Sequence, residues 1–227
     1  MMNVLFYDNK KKPIKYKLNK VYMHGGCGSV YRINSDTCLK WFGEDNFYDE
    51  EAFETIMKLN LTNFYKIYQM LYDEGDNFVG YTMKYYESSE IDILTMPIEY
   101  TINNLYKLYK SINIITSNSI FVRDLRESNI IMNNQDMTVI DVDLYFKNMF
   151  YSIRNDLTKN DLIHNNLSEL YRLFSEIYFN ALATYHYTLN FDKVIIDELF
   201  SIDSTPSDIH KKLIKYKYPL DYIKERR

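Results

Sequence analysis

The chain has 227 residues, of which 46% are hydrophobic and 26% are charged, and 27 Lys and Arg against 31 Asp and Glu give a formal net charge of -4. This balance excludes a basic nucleic-acid-binding arm and an acidic disordered tail, and the size allows one large domain or two small lobes. Because the sequence has no membrane-spanning apolar run, no signal-peptide pattern and only two cysteines, we expect a cytoplasmic protein that binds neither membrane nor nucleic acid.

The first part of the sequence is predicted to be rich in β-strands. Candidate strands cover residues 17–23, 29–33 and 37–42. A glycine-rich turn separates the first two, and a polar turn separates the second from the third. In the third strand the alternation places Leu39 and Trp41 on one face of the sheet and Lys40 on the other.

A helix and a β-hairpin are predicted next. Residues 45–60 carry apolar side chains at helical spacing, and Asp45 or Asn46 can cap the N-terminus of this helix. Two apolar runs then flank a turn at residues 73–76, which predicts a hairpin over residues 64–85.

From residue 97 onward the pattern is mainly helical. Residues 102–115 and 167–188 carry apolar side chains at spacings of three and four, which predicts two long helices. Between them, the short apolar runs 129–132 and 138–142 flank a polar turn and predict a small hairpin. The sequence as a whole therefore indicates an α+β protein.

The glycines and a lysine form the first candidate site. Gly25, Gly26 and Gly28 lie between two predicted strands, and Lys40 lies on the strand that follows. Glycines in such a turn allow backbone N–H groups to approach phosphate oxygens, and a lysine amine can neutralise the phosphate charge. A glycine-rich turn alone is a weak signal, and the Walker pattern is absent.

Oxygen-bearing side chains at the small hairpin form the second candidate site. Asp124 and Asn129 precede or begin the hairpin, and Asp141 ends it. Carboxylate and amide oxygens suit Mg²⁺. Asp143 would point in the same direction as Asp141 if the strand continued, so that both carboxylates could approach a metal.

The loop and the lysine resemble two motifs of the protein-kinase superfamily. Residues 23–31 are similar to the kinase loop G-x-G-x-x-G-x-V, with Gly25 and Gly28 at its second and third glycines and Val30 at its valine. Residues 37–40, Thr-Cys-Leu-Lys, resemble the V-A-I-K strand.

The later motifs follow in the same order as in kinases. Residues 122–124 resemble H-R-D without its histidine, Asn129 matches the asparagine of that motif, and residues 141–143 stand where D-F-G belongs. The resemblance covers roughly residues 20–145 and is specific through order and spacing, not through any single motif.

This resemblance implies a fold and a set of nucleotide contacts. It implies a two-lobed α+β protein with an antiparallel sheet and one helix in an N-lobe, residues 1–86, and a shortened, mainly helical C-lobe, residues 87–227. Lys40 would pair with the α- and β-phosphates of ATP, Met83 would be the gatekeeper, and the backbone of residues 84–86 would hold adenine. The residues expected at the nucleotide are Gly25, Gly26, Gly28, Val30, Lys40, Met83, Lys84 and Tyr85.

The resemblance also implies an ion pair between Lys40 and a glutamate of the helix that follows. Glu50, Glu51 and Glu54 are the candidates. Glu51 fits the spacing best and Glu54 is the second choice.

The resemblance assigns catalytic and metal-binding roles to the second site. Asp124 would accept the proton of the acceptor hydroxyl, and Arg126 would neutralise the transferred phosphoryl group. Asn129 and Asp141 would hold two Mg²⁺ ions. Asp143 is either a further metal ligand or a solvated turn residue.

Departures from the kinase pattern leave three functions open. The first glycine, the histidine and the D-F-G glycine are replaced, no A-P-E motif is found, and the Asp141-Val142-Asp143 sequence is similar to that of aminoglycoside-type kinases. The leading expectation is an ATP- and Mg²⁺-dependent kinase acting on protein hydroxyls. The alternatives are a small-molecule kinase of the same fold and a nucleotide-binding pseudokinase that acts as a binding module.

Overall fold

The computed structural model describes residues 2–19, 21–25, 27–42, 48–87, 98–133, 136–147, 158–184 and 204–215. These residues form an α+β protein with a curled antiparallel sheet and four helices. No helix among them is long and apolar enough to cross a membrane. The predicted α+β class is therefore confirmed.

The main sheet contains seven strands within the described residues. They are β1 (Met2–Tyr7), β2 (Pro13–Leu18), β3 (Val21–Gly25), β4 (Gly28–Arg32), β5 (Thr37–Phe42), β6 (Ile67–Tyr72) and β7 (Phe78–Lys84). Their order is β2-β1-β6-β7-β5-β4-β3, and all neighbours are antiparallel. In this register Lys40 on β5 lies between Val30 on β4 and Tyr81 on β7.

Helices and two short ladders make up the rest of the described chain. The helices are α1 (Glu50–Lys58), α2 (Ile98–Ser117), α3 (Lys159–Thr184) and α4 (Pro206–Lys215), and the strands are β8 (Ile120–Phe121), β9 (Ile130–Asn133), β10 (Asp136–Val139) and β11 (Phe146–Lys147). β9 pairs with β10 and β8 pairs with β11, both antiparallel. The β9–β10 pair is the predicted small hairpin.

The N-terminal β1–β2 hairpin differs from the prediction. The segment predicted as one strand over residues 17–23 contains the end of β2 and most of β3. The hairpin packs on the outer face of the sheet, where the Phe6 and Trp41 ring centroids are 5.3 Å apart and Leu18 and Leu39 are buried together. In β2, exposed lysines alternate with half-buried apolar residues. This pattern is only a weak sequence signal for a strand.

The two faces of β5 separate as predicted. Leu39 packs in the outer cluster with Trp41 against it, whereas Cys38 and Phe42 belong to the main core. α1 covers the inner face and buries Phe53 there, since the Phe42 and Phe53 ring centroids are 5.9 Å apart. Lys40 therefore lies on the same side of the sheet as the main core.

The helix boundaries follow from capping. α1 begins at Glu50 because the Asp49 carboxylate accepts a hydrogen bond from the Ala52 N–H at 3.0 Å, whereas the predicted caps Asp45 and Asn46 lie outside the described residues. α3 begins before the predicted residue 167 because Thr158 and Asp161 form a reciprocal capping box.

A backbone connection joins the α1–β6 segment to the small hairpin. The Tyr65 N–H donates to the Val139 carbonyl and the Val139 N–H donates to the Asn63 carbonyl, both at 2.8 Å. The Asn63 side chain donates to Asn104 on α2 at 2.7 Å. These bonds hold the inner face of the sheet against the hairpin that carries Asn129 and Asp141.

Candidate functional site

A cavity of about 410 Å³ brings together most of the predicted site residues. Its wall is built from the β3–β4 hairpin, β5, the end of β7 and the segment around the small hairpin. The predicted residues that line it are Gly28, Val30, Lys40, Met83, Lys84, Tyr85, Asp124, Arg126, Asn129 and Asp141. Residues about 100 positions apart in sequence therefore share one cleft.

Lys40 forms the contact that joins the two halves of this site. Its Nζ lies 2.9 Å from Asp141 Oδ2 and 2.5 Å from Asp143 Oδ2, and the residue is only 6% exposed. A buried amine needs such partners, because an unpaired charge away from water is very costly.

Asp143 is sequestered below the cavity and does not line it. The residue is 1% exposed, and its Oδ1 accepts a hydrogen bond from the Tyr81 hydroxyl at 3.0 Å. The Tyr65 hydroxyl donates in turn to the Tyr81 hydroxyl at 2.8 Å. The carboxylate therefore faces Lys40 and Tyr81, and not the cavity in which the expected metal ion would bind.

Asp141 and Asp143 both contact Lys40 but differ in exposure, because the chain turns between them. β10 ends at Val139, and the Tyr145 N–H bonds the Val142 carbonyl at 3.0 Å, so these residues form a turn and not a continued strand. The Asp143 N–H donates to Asp141 Oδ1 at 3.0 Å. The Asp141 carboxylate remains at the cavity wall, with its side chain 27% exposed.

The charge balance of this cluster favours proton binding. Burial raises the pKa of Asp143 to about 7, against the opposing effect of Lys40. Burial alone would lower the pKa of Lys40, but the carboxylates of Asp143 and Asp141 hold it above its usual value. When both carboxylates are ionised, two of them around one amine leave one negative charge in excess, which attracts a proton or another cation.

Asp124 is held in an unusual backbone conformation. Its φ is 63°, and the Asn129 side-chain amide donates to its carbonyl at 2.9 Å and to its Oδ2 at 3.2 Å. The guanidinium of Arg126 bonds the other carboxylate oxygen, Oδ1. A one-turn 3₁₀ helix over Glu127–Asn129 closes this loop, so Asp124 is positioned by its own loop.

A buried asparagine missed in the sequence braces this loop from behind. Asn166 on α3 accepts a hydrogen bond from the Val122 N–H at 2.8 Å and donates to the Ile120 carbonyl at 2.9 Å. Its sequence signal was weak, because Asn166 lies one residue before the predicted helix over residues 167–188.

The glycine-rich hairpin is constrained most tightly at Gly28. Its φ is +145°, and a Cβ atom there would lie 2.3 Å from the Trp41 carbonyl oxygen. Gly25 is its cross-strand partner in the β3–β4 ladder, whereas Gly26 lies outside the described residues. Only glycine allows β4 to approach β5 this closely at the edge of the cavity.

The predicted backbone contacts to adenine are only partly free to form. The Lys84 N–H donates to the Lys66 carbonyl at 2.9 Å, and the Tyr85 N–H donates to the Asp36 carbonyl at 2.8 Å. Neither N–H can therefore donate to a base without losing its present partner. The end of the cavity beside these residues is instead aromatic, since Tyr22 and Tyr85 form an edge-to-face pair with centroids 5.9 Å apart.

The glutamates of α1 bind elsewhere, and the predicted Lys40–Glu51 ion pair is corrected. Glu51 pairs with Lys147 at 2.8 Å. Glu50 accepts a hydrogen bond from the Tyr72 hydroxyl at 2.6 Å, and Glu54 pairs with Lys58 at 3.4 Å. The reason is the docking of α1 onto β11, where the Lys147 N–H donates to Asp49 at 2.7 Å.

Few oxygen-bearing side chains at the cavity could hold a cation. Among the described residues no group of three or more His, Cys, Asp and Glu side chains could hold a metal ion. Asn129 and Asp141 nevertheless both line the cavity, and their side chains carry hard oxygen atoms. Mg²⁺ commonly takes only one or two protein ligands and completes its shell with phosphate and water, so these two residues fit that ion.

Comparison with known proteins identifies no family for the chain. No model of a protein family matches it, and no curated protein matches it significantly. Function is therefore inferred from the chemistry of the site.

Proposed function

We propose that the chain is an ATP- and Mg²⁺-dependent phosphotransferase with a two-lobed protein-kinase-like fold. The observation that carries this proposal is the approach of the Lys40 amine to within 2.9 Å of the Asp141 carboxylate, in a cavity that Asp124 and Asn129 also line. An amine, two carboxylates and an amide around one cleft are the groups that a triphosphate and its cation require.

The proposed lobes follow the distribution of elements along the chain. Residues 1–86 contain the seven-stranded sheet and α1, and residues 87–227 contain the other three described helices and the two short ladders. We place the nucleotide in the cavity at the junction of these parts. The β1–β2 hairpin is an addition that covers the outer face of the sheet and leaves the cavity untouched.

The nucleotide is proposed to lie with its base at the aromatic end of the cavity. Val30 and Met83 supply apolar surface there, and Tyr85 supplies an aromatic ring. The triphosphate then extends along the glycine-rich hairpin, where Gly28 allows close approach of the backbone, towards the Lys40 amine.

The cation site of this proposal consists of Asn129 and Asp141. Bound Mg²⁺ would supply positive charge that offsets the charge developing on the phosphates. Asn129 commits its amide nitrogen to Asp124, which leaves the orientation of its oxygen fixed. Asp141 is oriented by the Asp143 N–H, which donates to its Oδ1.

Asp124 is the proposed proton acceptor. As the acceptor hydroxyl oxygen bonds the γ-phosphorus, the bond from that phosphorus to the β–γ bridging oxygen breaks and ADP leaves. The hydroxyl proton passes to the Asp124 carboxylate. Arg126, which contacts that carboxylate and also lines the cavity, is proposed to turn towards the transferred phosphoryl group. Catalysis is then mainly positioning and charge neutralisation.

The acceptor is proposed to be a protein hydroxyl, and incubation with γ-labelled ATP and Mg²⁺ tests this. Label is expected on the chain itself or on an added protein, and the Lys40→Ala variant should incorporate none. Label found only on a small metabolite would replace the protein acceptor by a small molecule. Absence of label in the wild type with any protein or metabolite mixture would contradict the phosphotransferase proposal.

A second candidate, nucleotide binding without transfer, is favoured by one observation. Asp124 is paired with Arg126, and Lys40 is paired with two carboxylates, so the proposed reactive groups satisfy one another. Mg²⁺-dependent binding of ATP without transfer of label would support this pseudokinase function over the first.

A further inference from the structure

We infer that Asp143 is the residue that positions Lys40 for the phosphates, in place of a glutamate from α1. This inference rests on the proposed phosphotransferase function and deepens it. It assigns a role to a buried carboxylate that neither lines the cavity nor meets the nucleotide.

The contacts of Asp143 support a positioning role. Its two carboxylate oxygens are divided between two neighbours: Oδ2 lies 2.5 Å from the Lys40 amine, and Oδ1 accepts the Tyr81 hydroxyl. Tyr81 is directly opposite Lys40 on the neighbouring strand and is itself fixed by the Tyr65 hydroxyl. Each member of this buried chain therefore has a partner on the inner face of the sheet, which sets the direction of the amine.

The α1 helix has no carboxylate left for this task. Glu50, Glu51 and Glu54 bind Tyr72, Lys147 and Lys58 respectively. The capping residue Asp49 is also bound, to the Ala52 and Lys147 N–H groups. A lysine buried to this extent needs a fixed counter-charge, and Asp143 is the more buried of its two carboxylate partners.

The location of Asp143 has a mechanistic consequence. It lies two residues after Asp141 and bonds it through its own N–H at 3.0 Å. The turn that presents Asp141 to the cation therefore also holds the amine that meets the phosphates. An ammonium group has three donors, so Lys40 can keep Asp143 while it exchanges its bond to Asp141 for a phosphate oxygen. Alignment of the amine then does not depend on the position of α1.

Two isosteric substitutions separate this role from that of an α1 glutamate. Asp143→Asn should lower kcat/KM for ATP by about 100-fold, a cost typical of a displaced catalytic group, with a higher Kd for ATP·Mg²⁺. Glu51→Gln and the matched surface control Glu54→Gln should stay within about twofold of the wild type. If the wild type is active and Glu51→Gln lowers kcat/KM as much as Asp143→Asn does, the positioning role of Asp143 is overturned. The phosphotransferase function would remain intact.

A double-mutant cycle with Lys40→Met excludes a merely structural effect of Asp143. If Asp143 acts through Lys40, Asp143→Asn should not weaken ATP binding further in the Lys40→Met background. It should also raise the melting temperature there, because Lys40→Met leaves a buried carboxylate unpaired. Additive losses of ATP affinity in the double variant would overturn the inference. Higher activity of Asp143→Asn than of the wild type would also overturn it, because the ion pair would then inhibit the reaction. A wild type that neither binds ATP nor transfers phosphate would remove the proposed function and this inference together.

Discussion

The side-chain oxygen of Asn166 accepts a hydrogen bond from the backbone N–H of Val122 at 2.8 Å, two residues before Asp124. The amide nitrogen of Asn166 donates to Thr116 on α2 at 2.8 Å and to the Ile120 carbonyl on β8 at 2.9 Å. One fully buried side chain thus joins α2, α3 and the segment that leads to the proposed base. The position of Asp124 depends on packing between helices as well as on its own loop.

Replacing Asn166 should therefore weaken both the fold and the reaction. Asn166→Ala leaves a buried N–H and a buried carbonyl without a partner, at a cost of about 1–3 kcal/mol each in the free energy of unfolding. The neighbouring Asn165→Ala is the matched control, because Asn165 is exposed and its side chain donates to the Asp161 carbonyl of its own helix. Chemical denaturation and phosphate transfer measure the two effects, and equal stability of the two variants would contradict the bracing role.

Asp124→Asn should preserve nucleotide binding and remove transfer. The amide keeps the size of the side chain but cannot accept the hydroxyl proton, so kcat should fall by about 10²–10⁴-fold. Calorimetry should give an unchanged Kd for ATP·Mg²⁺, and the exposed Asp136→Asn, whose partner is Lys107, should retain activity. Transfer at the wild-type rate by Asp124→Asn would exclude Asp124 as the base.

Gly28→Ala should destabilise the sheet and lower the affinity for ATP. The new methyl group would meet the Trp41 carbonyl at 2.3 Å, in a φ region that side chains rarely adopt, and we expect a loss of at least about 2 kcal/mol. Gly75→Ala is the matched control, because its methyl group would meet only the flexible side chains of Asn77 and Asp73. Similar melting temperatures for the two variants would show that β4 can move away from β5.

The response to ATP should depend on Mg²⁺ through Asp141. ATP with Mg²⁺ should raise the stability of the wild type by about 2.7 kcal/mol at a concentration 100 times Kd. In Asp141→Asn the added effect of Mg²⁺ should be lost while the effect of ATP alone remains. Thermal melts with ATP, Mg²⁺ or both measure this, and a full Mg²⁺ effect in Asp141→Asn would place the cation elsewhere.

Acid should destabilise the protein partly through two capping boxes. Hydrogen bonds from the Thr158 side chain and backbone lower the pKa of Asp161 below its usual 3.8, and Thr205 does the same for Asp208. A carboxyl whose pKa is lower when folded stabilises the protein above pH 3.8 and loses that effect as the pH falls through the folded value. The Asp161→Asn/Asp208→Asn double variant should therefore lose less stability than the wild type between pH 5 and pH 3, as followed by circular dichroism. If the double variant and the wild type lose stability equally over this pH range, the capping boxes do not contribute to acid stability.

Local patterns predicted much of the sheet and the components of the site. The β5 strand and the separation of its faces follow from alternation, because Leu39 and Lys40 cannot point in the same direction in a strand. The small hairpin follows from its polar turn. Gly28, Lys40, Asp124 and Asp141, which the order of motifs singled out, all line the cavity, whereas Gly25 does not.

Partners far apart in sequence were not predictable in the same way. Glu51 had the expected spacing but pairs with Lys147, because α1 docks onto β11 through Asp49. Asp143 was expected beside a metal but turns inward to Lys40, because the chain leaves its strand at Val139.

Periodicity and motif order are local properties of the chain, so they are already present in the unfolded polypeptide and can be read from it. The direction of each charged side chain is set when the sheet, α1 and α3 pack. Packing removes the charge from water and determines which oppositely charged groups lie close enough to pair with it. The pairing of Lys40 with Asp143, and the bracing of Val122 by Asn166, are consequences of that packing.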